Sequence, residues 1–126
     1  MIHVSDNVAH ALQNGDPIVA LETAVLTAGL PRTPWKDSFL ECPSFIDDSL
    51  PINSALAIAM AEHVIQQGAI PAWIAVVDGT LRIGLTPSEV DALCSDTQAG
   101  KVSLATIAQT MNRTQTAGTT VATTLL

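Results

Sequence analysis

Apolar positions recur along this chain in two rhythms, one helical and one extended, and each rhythm breaks at glycine, proline or asparagine. From Ser5 to Gln13 the spacing is helical: Val8 and Leu12 share a face, Ser5 can cap, Asp6 sits in the first turn and Asn14-Gly15 ends the element. Pro17-Ile18-Val19-Ala20-Leu21 then runs continuously apolar out of a Gly-Asp-Pro turn, which predicts a strand buried on both faces. Thr23 to Gly29 stays apolar through Ala24-Val25-Leu26 and breaks at Gly29-Leu30-Pro31. Helical spacing returns after Asn53, read as the cap of a helix from Ser54 to Gln67 closed by Gly68. Leu56, Met60, His63 and Val64 form one stripe and Ile58, Ala61 and Ile65 another, which predicts burial over much of its circumference. In that setting His63 reads as a boundary residue rather than a ligand.

Gly68-Ala69-Ile70-Pro71 leads into a predicted strand from Ala72 to Val77, and Asp78-Gly79 signals a hairpin whose return strand is Thr80 to Ile83. Thr86-Pro87-Ser88-Glu89 is the clearest local signature. Thr86 caps, Pro87 takes the first helical position, Glu89 completes a capping box, and Val90 and Leu93 face inward on a helix ending near Ser95. Lys101-Val102-Ser103 reads as a short extended piece, Leu104 to Met111 as a helix, and Thr116 to Leu126 as a Thr- and Ala-rich stretch. Residues 33–50 stand outside both rhythms. They hold Trp35, Phe39, Phe45, Cys42, two prolines and four acids, and are expected to be an insertion, since long structureless loops are uncommon in compact domains. The order helix, strand, helix, hairpin, helix predicts a layered α/β fold.

Composition narrows this picture. The 126 residues make at most one domain; 48% are hydrophobic but only 3% aromatic, so the core is expected to be Ala, Val, Ile and Leu, suited to helices packed on a sheet. Twelve acids against five bases give a net charge of -7 with no basic stripe, which argues against nucleic acid and anionic membranes as partners. Cys42 and Cys94 fit no metal spacing and read as free thiols. The start, Met1-Ile2-His3-Val4, shows no signal-peptide pattern, and no apolar stretch is long enough to cross a bilayer; the expectation is a soluble cytoplasmic protein.

The candidate chemistry is sparse. Glu22 follows an apolar strand, and buried parallel strands present their chemistry at their carboxyl ends, so Glu22 is the candidate catalytic carboxylate. An ordinary turn-capping or ion-paired Glu is the alternative. Gly118-Thr119-Thr120-Val121 has the look of an anion-holding turn into a helix, although a Thr-capped helix start reads the same way and the Gly-x-x-x-x-Gly-Lys pattern is absent. Lys101, one of two lysines, lies at the edge of a short strand, where a solvated role is the ordinary one.

Together these pieces resemble the pseudouridine-5'-phosphate glycosidases, also called the indigoidine synthase A-like family. Val19-Ala20-Leu21-Glu22-Thr23, Gly29-Leu30-Pro31, Gln67 through Ala72, Gly79 with Arg82-Ile83-Gly84-Leu85-Thr86, Lys101-Val102-Ser103 and Thr119-Thr120-Val121-Ala122 follow the family's order. The resemblance covers nearly the whole chain apart from residues 33–50. It implies a three-layer α/β/α fold with a mixed sheet, incomplete in this chain, and reversible cleavage of the C–C glycosidic bond of pseudouridine 5'-phosphate to uracil and ribose 5-phosphate. It implies Mn²⁺ and a homotrimer as well. By motif match Glu22 is the proton-transferring glutamate, and Lys101, Thr119, Thr120 and Val121 are substrate-contacting, Val121 through its backbone. Ala28 stands where the family has His, and Leu104-Ala105-Thr106 where it has Arg-Arg-Asp. The family's metal-binding aspartate and Schiff-base lysine fall beyond Leu126, so no residue here is assigned as a metal ligand. The chain is therefore expected to be an inactive amino-terminal portion of the enzyme, with a non-catalytic binding or assembly module as the alternative.

Overall fold

The computed structural model describes residues 1–125. Its elements are β1 (Ile2–Val4), α1 (Asp6–Asn14), β2 (Ile18–Leu21), α2 (Ile52–Gln66), β3 (Ile70–Val77), β4 (Thr80–Ile83), α3 (Pro87–Ser95), β5 (Gly100–Val102), α4 (Ile107–Asn112), β6 (Ala117–Thr119) and α5 (Val121–Thr124). A π-helical turn at Val25–Gly29 and a 3₁₀ turn at Trp35–Asp37 lie between β2 and α2.

The mixed sheet is built around β3. Its second half pairs antiparallel with β4 on one edge and with β6 on the other; β1 extends β4 and β5 extends β6, both parallel. β2 pairs in parallel with the first half of β3, from Ile18 opposite Ile70 to Leu21 opposite Trp73. Because side chains alternate along a strand, Trp73 and Ala75 face one way, into a core with Ala57 of α2 and Val90, Leu93 and Cys94 of α3. Val76 faces the other way, against Val102, Ala117 and the α4 residues Ile107 and Met111. Helices thus cover both faces, in the three layers expected.

The core composition follows the expectation in part. Ala11, Ala55, Ala57, Ala72, Ala75, Ala99 and Ala117 are buried, and such small side chains let backbones approach closely. Both tryptophans are buried too, whereas Phe39 and Phe45 lie in solvent. Cys42 and Cys94 are unpaired thiols, and burial pushes the Cys94 thiol up from its ordinary range.

Local signals read from sequence reappear as local geometry. Ser5 caps α1, accepting from the Val8 N–H, and Gly15 ends it in the left-handed region. Thr86 and Glu89 form the capping box, with Thr86 N–H donating to Glu89 Oε2 at 2.8 Å and Arg82 reaching Glu89 Oε1 at 2.6 Å. The Thr86 N–H first, and the Arg82 charge after it, hold the Glu89 carboxyl below its usual range. Asp78 and Gly79 both have positive φ, as the tight hairpin requires, and a Cβ on Gly79 would meet the Met111 carbonyl at 2.6 Å.

Several expectations are corrected. β1 was not anticipated, three residues being too short to show a period. β2 is not buried on both faces: among the described residues it pairs with β3 alone, and Val19 and Ala20 are exposed. Leu12 is exposed and Ala11 joins Val8 on the buried face of α1. α2 starts earlier, behind Pro51, so Asn53 lies inside the first turn, wholly buried, rather than capping. From Ile58 onward α2 is open rather than covered, with Ile58 49% and Ile65 60% exposed. α4 starts late because Ser103–Thr106 first closes a turn, Thr106 N–H donating to Ser103 O at 3.1 Å.

Residues 33–50 lack period, as read, but form a closed loop. Trp35 N–H donates to Leu50 O at 3.0 Å, Lys36 N–H to Asp48 O at 2.9 Å and Ile52 N–H to Thr33 O at 3.0 Å, which pins the neck. Trp35 packs with Ile52 and Ala55 of α2, beside Cys42, Ile46 and Leu50.

Candidate active site

Three strands end at one place. The carboxyl end of β2 meets that of β6, where Thr23 N–H donates to Thr119 O at 3.2 Å, and β5 ends beside β6 with Val102 opposite Thr119. The hinge of this junction is the carbonyl of Ile74, midway along β3. Both its lone pairs are taken, by the hydroxyls of Thr23 and Thr119, each at 2.6 Å. Thr23 is wholly buried and its oxygen also accepts the Thr119 N–H at 2.9 Å. The backbones approach so closely that a Cβ on Gly118 would lie 2.5 Å from the Thr23 carbonyl oxygen; only glycine fits.

Proton accounting fixes what the threonines can offer, since each hydroxyl has one proton. That of Thr119 goes to Ile74, so in the 2.8 Å pair with Thr124 it is Thr124 that donates. Thr123 donates to Val102 O at 3.1 Å, so in the 3.0 Å pair with Thr120 it is Thr120 that donates. Thr119 is wholly buried with its one hydroxyl proton given to Ile74; here it holds β6 in place rather than presenting itself to a ligand. Thr120 is half-buried and keeps free lone pairs, and Val121, the first residue of α5, is 57% exposed.

Glu22 stands at this junction, half-buried, one residue before the anchored Thr23. It has no ion-pair partner: the ion pair among the described residues is Arg82–Glu89. Lys101 lies opposite Gly118 on β5 and is exposed, but its side chain borders a polar hollow with Asp78, Asp96 and Gln115. None of Glu22, Thr119, Thr120 and Val121 lines that hollow. The backbones that bear Glu22 and Thr119–Val121 therefore meet at one junction, whereas Lys101, on the neighbouring strand, borders a separate hollow.

The segment after Glu22 is held by residues that sequence reading passed over or, in the case of Asn53, took for a helix cap. Arg32 donates to three carbonyls: Cys94 and Asp96, both at 3.0 Å, and Thr27 at 2.9 Å. Asn53 donates to Leu26 O at 3.0 Å and Cys94 O at 2.9 Å, and Thr27 donates to Gly100 O at 2.6 Å. The π-helical turn behind Glu22 is thus tied to α2, α3 and the start of β5. An isolated arginine just after Gly-Leu-Pro was the one available signal. Among the described residues no group of three or more His, Cys, Asp or Glu side chains could hold a metal.

The chain matches the family model described as indigoidine synthase A like protein over residues 45–126. It is 37% identical over 125 residues to a pseudouridine-5'-phosphate glycosidase of Dinoroseobacter shibae, covering 99% of this chain and 35% of the relative. It is 40% identical over 110 residues to one of Thermus thermophilus, covering 87% of this chain and 32% of the relative. Among solved structures it resembles the prealnumycin C-glycosynthase AlnA in complex with ribulose 5-phosphate, with a TM-score of 0.72 and 30% identity over 99% of this chain and 34% of that one. An indigoidine synthase A-like protein of Thermotoga maritima shares the fold, with a TM-score of 0.67 at 23% identity over 98% of this chain and 34% of that one. The chain spans about a third of the length of the relatives it matches.

Proposed function

Since the chain belongs to the indigoidine synthase A like protein family, we propose that it supplies one wall of the active site of a pseudouridine-5'-phosphate glycosidase. The reaction would be reversible cleavage of the C–C glycosidic bond to give uracil and ribose 5-phosphate. One observation carries this reading: the ends of β2 and β6 are tied together on the Ile74 carbonyl, with β5 ending beside β6, and Glu22 on one side and Thr120-Val121 on the other adjoin that tie in sequence, Glu22 without an ion pair among the described residues. The names of the relatives, and the five-carbon sugar phosphate in the AlnA complex, support the substrate class.

Glu22 would move a proton between the sugar and the departing base, as an unpaired carboxylate on a fixed backbone can. Thr120 would offer lone pairs to a sugar hydroxyl and Val121 its backbone N–H to an anionic oxygen, while Thr119 positions both. Lys101, exposed and in no ion pair among the described residues, has a long flexible stem that could bring its charge toward a phosphate. The Schiff-base lysine, the Mn²⁺ ligands and the homotrimer implied by the resemblance would belong to the completed protein, and no step here runs through the metal. A binding or assembly module without catalysis is the second reading, favoured by the one-third coverage of the relatives.

The test joins this chain to the part of the D. shibae relative that it does not match. Uracil release from pseudouridine 5'-phosphate, with Mn²⁺ present, is expected from the fusion and not from the 126-residue chain alone. Glu22→Gln in the fusion should lower kcat by roughly 10²–10⁴, with substrate affinity changing far less because the amide still hydrogen-bonds. A fusion that binds substrate but shows near-normal kcat for Glu22→Gln removes the proposed role of Glu22. A folded fusion without turnover favours the second reading.

A further inference from the structure

Away from the site, a groove of about 560 Å³ opens between α1, α2, α3 and the first half of β3. Ile70, Pro71 and Trp73 line it from β3, and Ile58, Ala61 and Ile65 from α2. The last three recur at helical spacing and form one stripe. Asp91 is the one carboxylate in the lining, no basic side chain lies there, and none of the candidate site residues takes part.

Single exposed apolar side chains are ordinary, but a continuous apolar stripe facing an apolar strand marks an interaction surface. At roughly 25 cal/mol per Å² of apolar surface, leaving it wet forfeits stabilisation that a packed neighbour would recover. The charge-poor lining suits an apolar polypeptide element better than an ionic ligand. A second copy of this chain is a poor fit, since each carries a net charge of -7. The relatives are about three times as long as this chain, so most of the family fold is made by polypeptide not present here.

We propose that this groove seats that polypeptide: an apolar element from the part of the family fold that this chain does not span packs along Ile58, Ala61 and Ile65. The inference rests on family membership and length, not on the reaction proposed above, and its readout is association rather than turnover.

The 126-residue chain is co-expressed with a tagged polypeptide comprising the part of the D. shibae relative that it does not match. The two should purify together in equal amounts. Ile58→Glu with Ile65→Glu, both at exposed positions, should cut recovery of the complex by at least about ten-fold, a charge in an apolar interface being costly. Phe45→Glu, exposed and outside the groove, should leave recovery unchanged. Circular dichroism of each variant chain alone confirms its fold. Amide exchange over residues 58–66 should slow by about ten-fold or more in the complex. The proposal is overturned if the double variant associates as well as the parent, if the chain purifies alone as a monomer, or if it pairs with itself through this stripe.

Discussion

Two stretches of this chain lack regular period, and opposite kinds of tie hold them. Between Glu22 and Arg32 two local ties, Thr27 to Ala24 and Arg32 to Thr27, are joined by remote ones: Thr23 reaches Ile74 and Thr119, Thr27 reaches Gly100, and Arg32 reaches Cys94 and Asp96, at separations of 51 to 96 residues. Between Thr33 and Leu50 the side-chain hydrogen bonds among the described residues span five residues at most. The first stretch is matched to carbonyls of other elements, so Glu22 is held to the sheet. The second closes on itself at a backbone neck, so its tip can vary without moving the sheet. Irregular backbone is suited to a site when its polar groups are answered from far away.

The sharpest challenge to this contrast is Trp35, the buried side chain that ties the loop to α2. Trp35→Ala should cost about 3–5 kcal/mol, the range for truncating a buried aromatic, read as a lower urea midpoint. A protease should still cut the parent chain first within 38–48, beyond the neck. If Trp35→Ala is nearly neutral, the loop is independent of the core altogether.

Arg32→Ala is expected to cost roughly 2–4 kcal/mol, because three carbonyls lose charged donors together. Arg32→Lys should recover only part of this, since one ammonium cannot reproduce the planar fork. Full rescue by lysine would mean that charge alone, rather than the geometry of the tie, holds the turn. Thr23→Val comes next, at about 1–3 kcal/mol, because it leaves the buried Thr119 N–H without its side-chain acceptor. Thermal denaturation of that variant, beside the shape-preserving Thr23→Ser, separates the hydroxyl from the methyl.

The same contrast explains what sequence reading could see. The Ser5 cap, the Asp78-Gly79 hairpin and the Thr86–Glu89 box were legible because each is settled within a few residues. Glu22 and the Thr119–Val121 turn were singled out through strand-end logic and motif order, and the backbone places the end of β2 against that of β6, although β2 is not the doubly buried strand that this logic assumed. Asn53, Arg32 and Thr23 were misread or missed because, the Thr27 carbonyl of Arg32 apart, the carbonyls they donate to lie 27 or more residues away, and one sequence does not say which carbonyl answers which donor. The openness of β2 and of the second half of α2 was hidden for a related reason. Apolar pattern reports which residues favour burial, not whether anything present here covers them.

The smallest effect belongs to Glu89, whose ties are all local. Its partners are Thr86 and Arg82, three and seven residues away, and the pair with Arg82 sits at the surface, where ion pairs contribute little. Its carboxyl is held below the usual 4.5, so the folded state binds its proton less readily than the unfolded state. The sign follows: the stabilisation is present above about pH 4.5 and is lost as the pH falls through the lowered value. A capping box of this kind is worth roughly 0.5–1 kcal/mol. Glu89→Gln should therefore lower the urea midpoint slightly near neutral pH and converge with the parent in acid. A pH-independent gap between the two would assign the effect to helix propensity or packing. A gap as large as that of Arg32→Ala would undo the contrast itself, since a local, exposed tie would then hold as much as the buried ties behind Glu22.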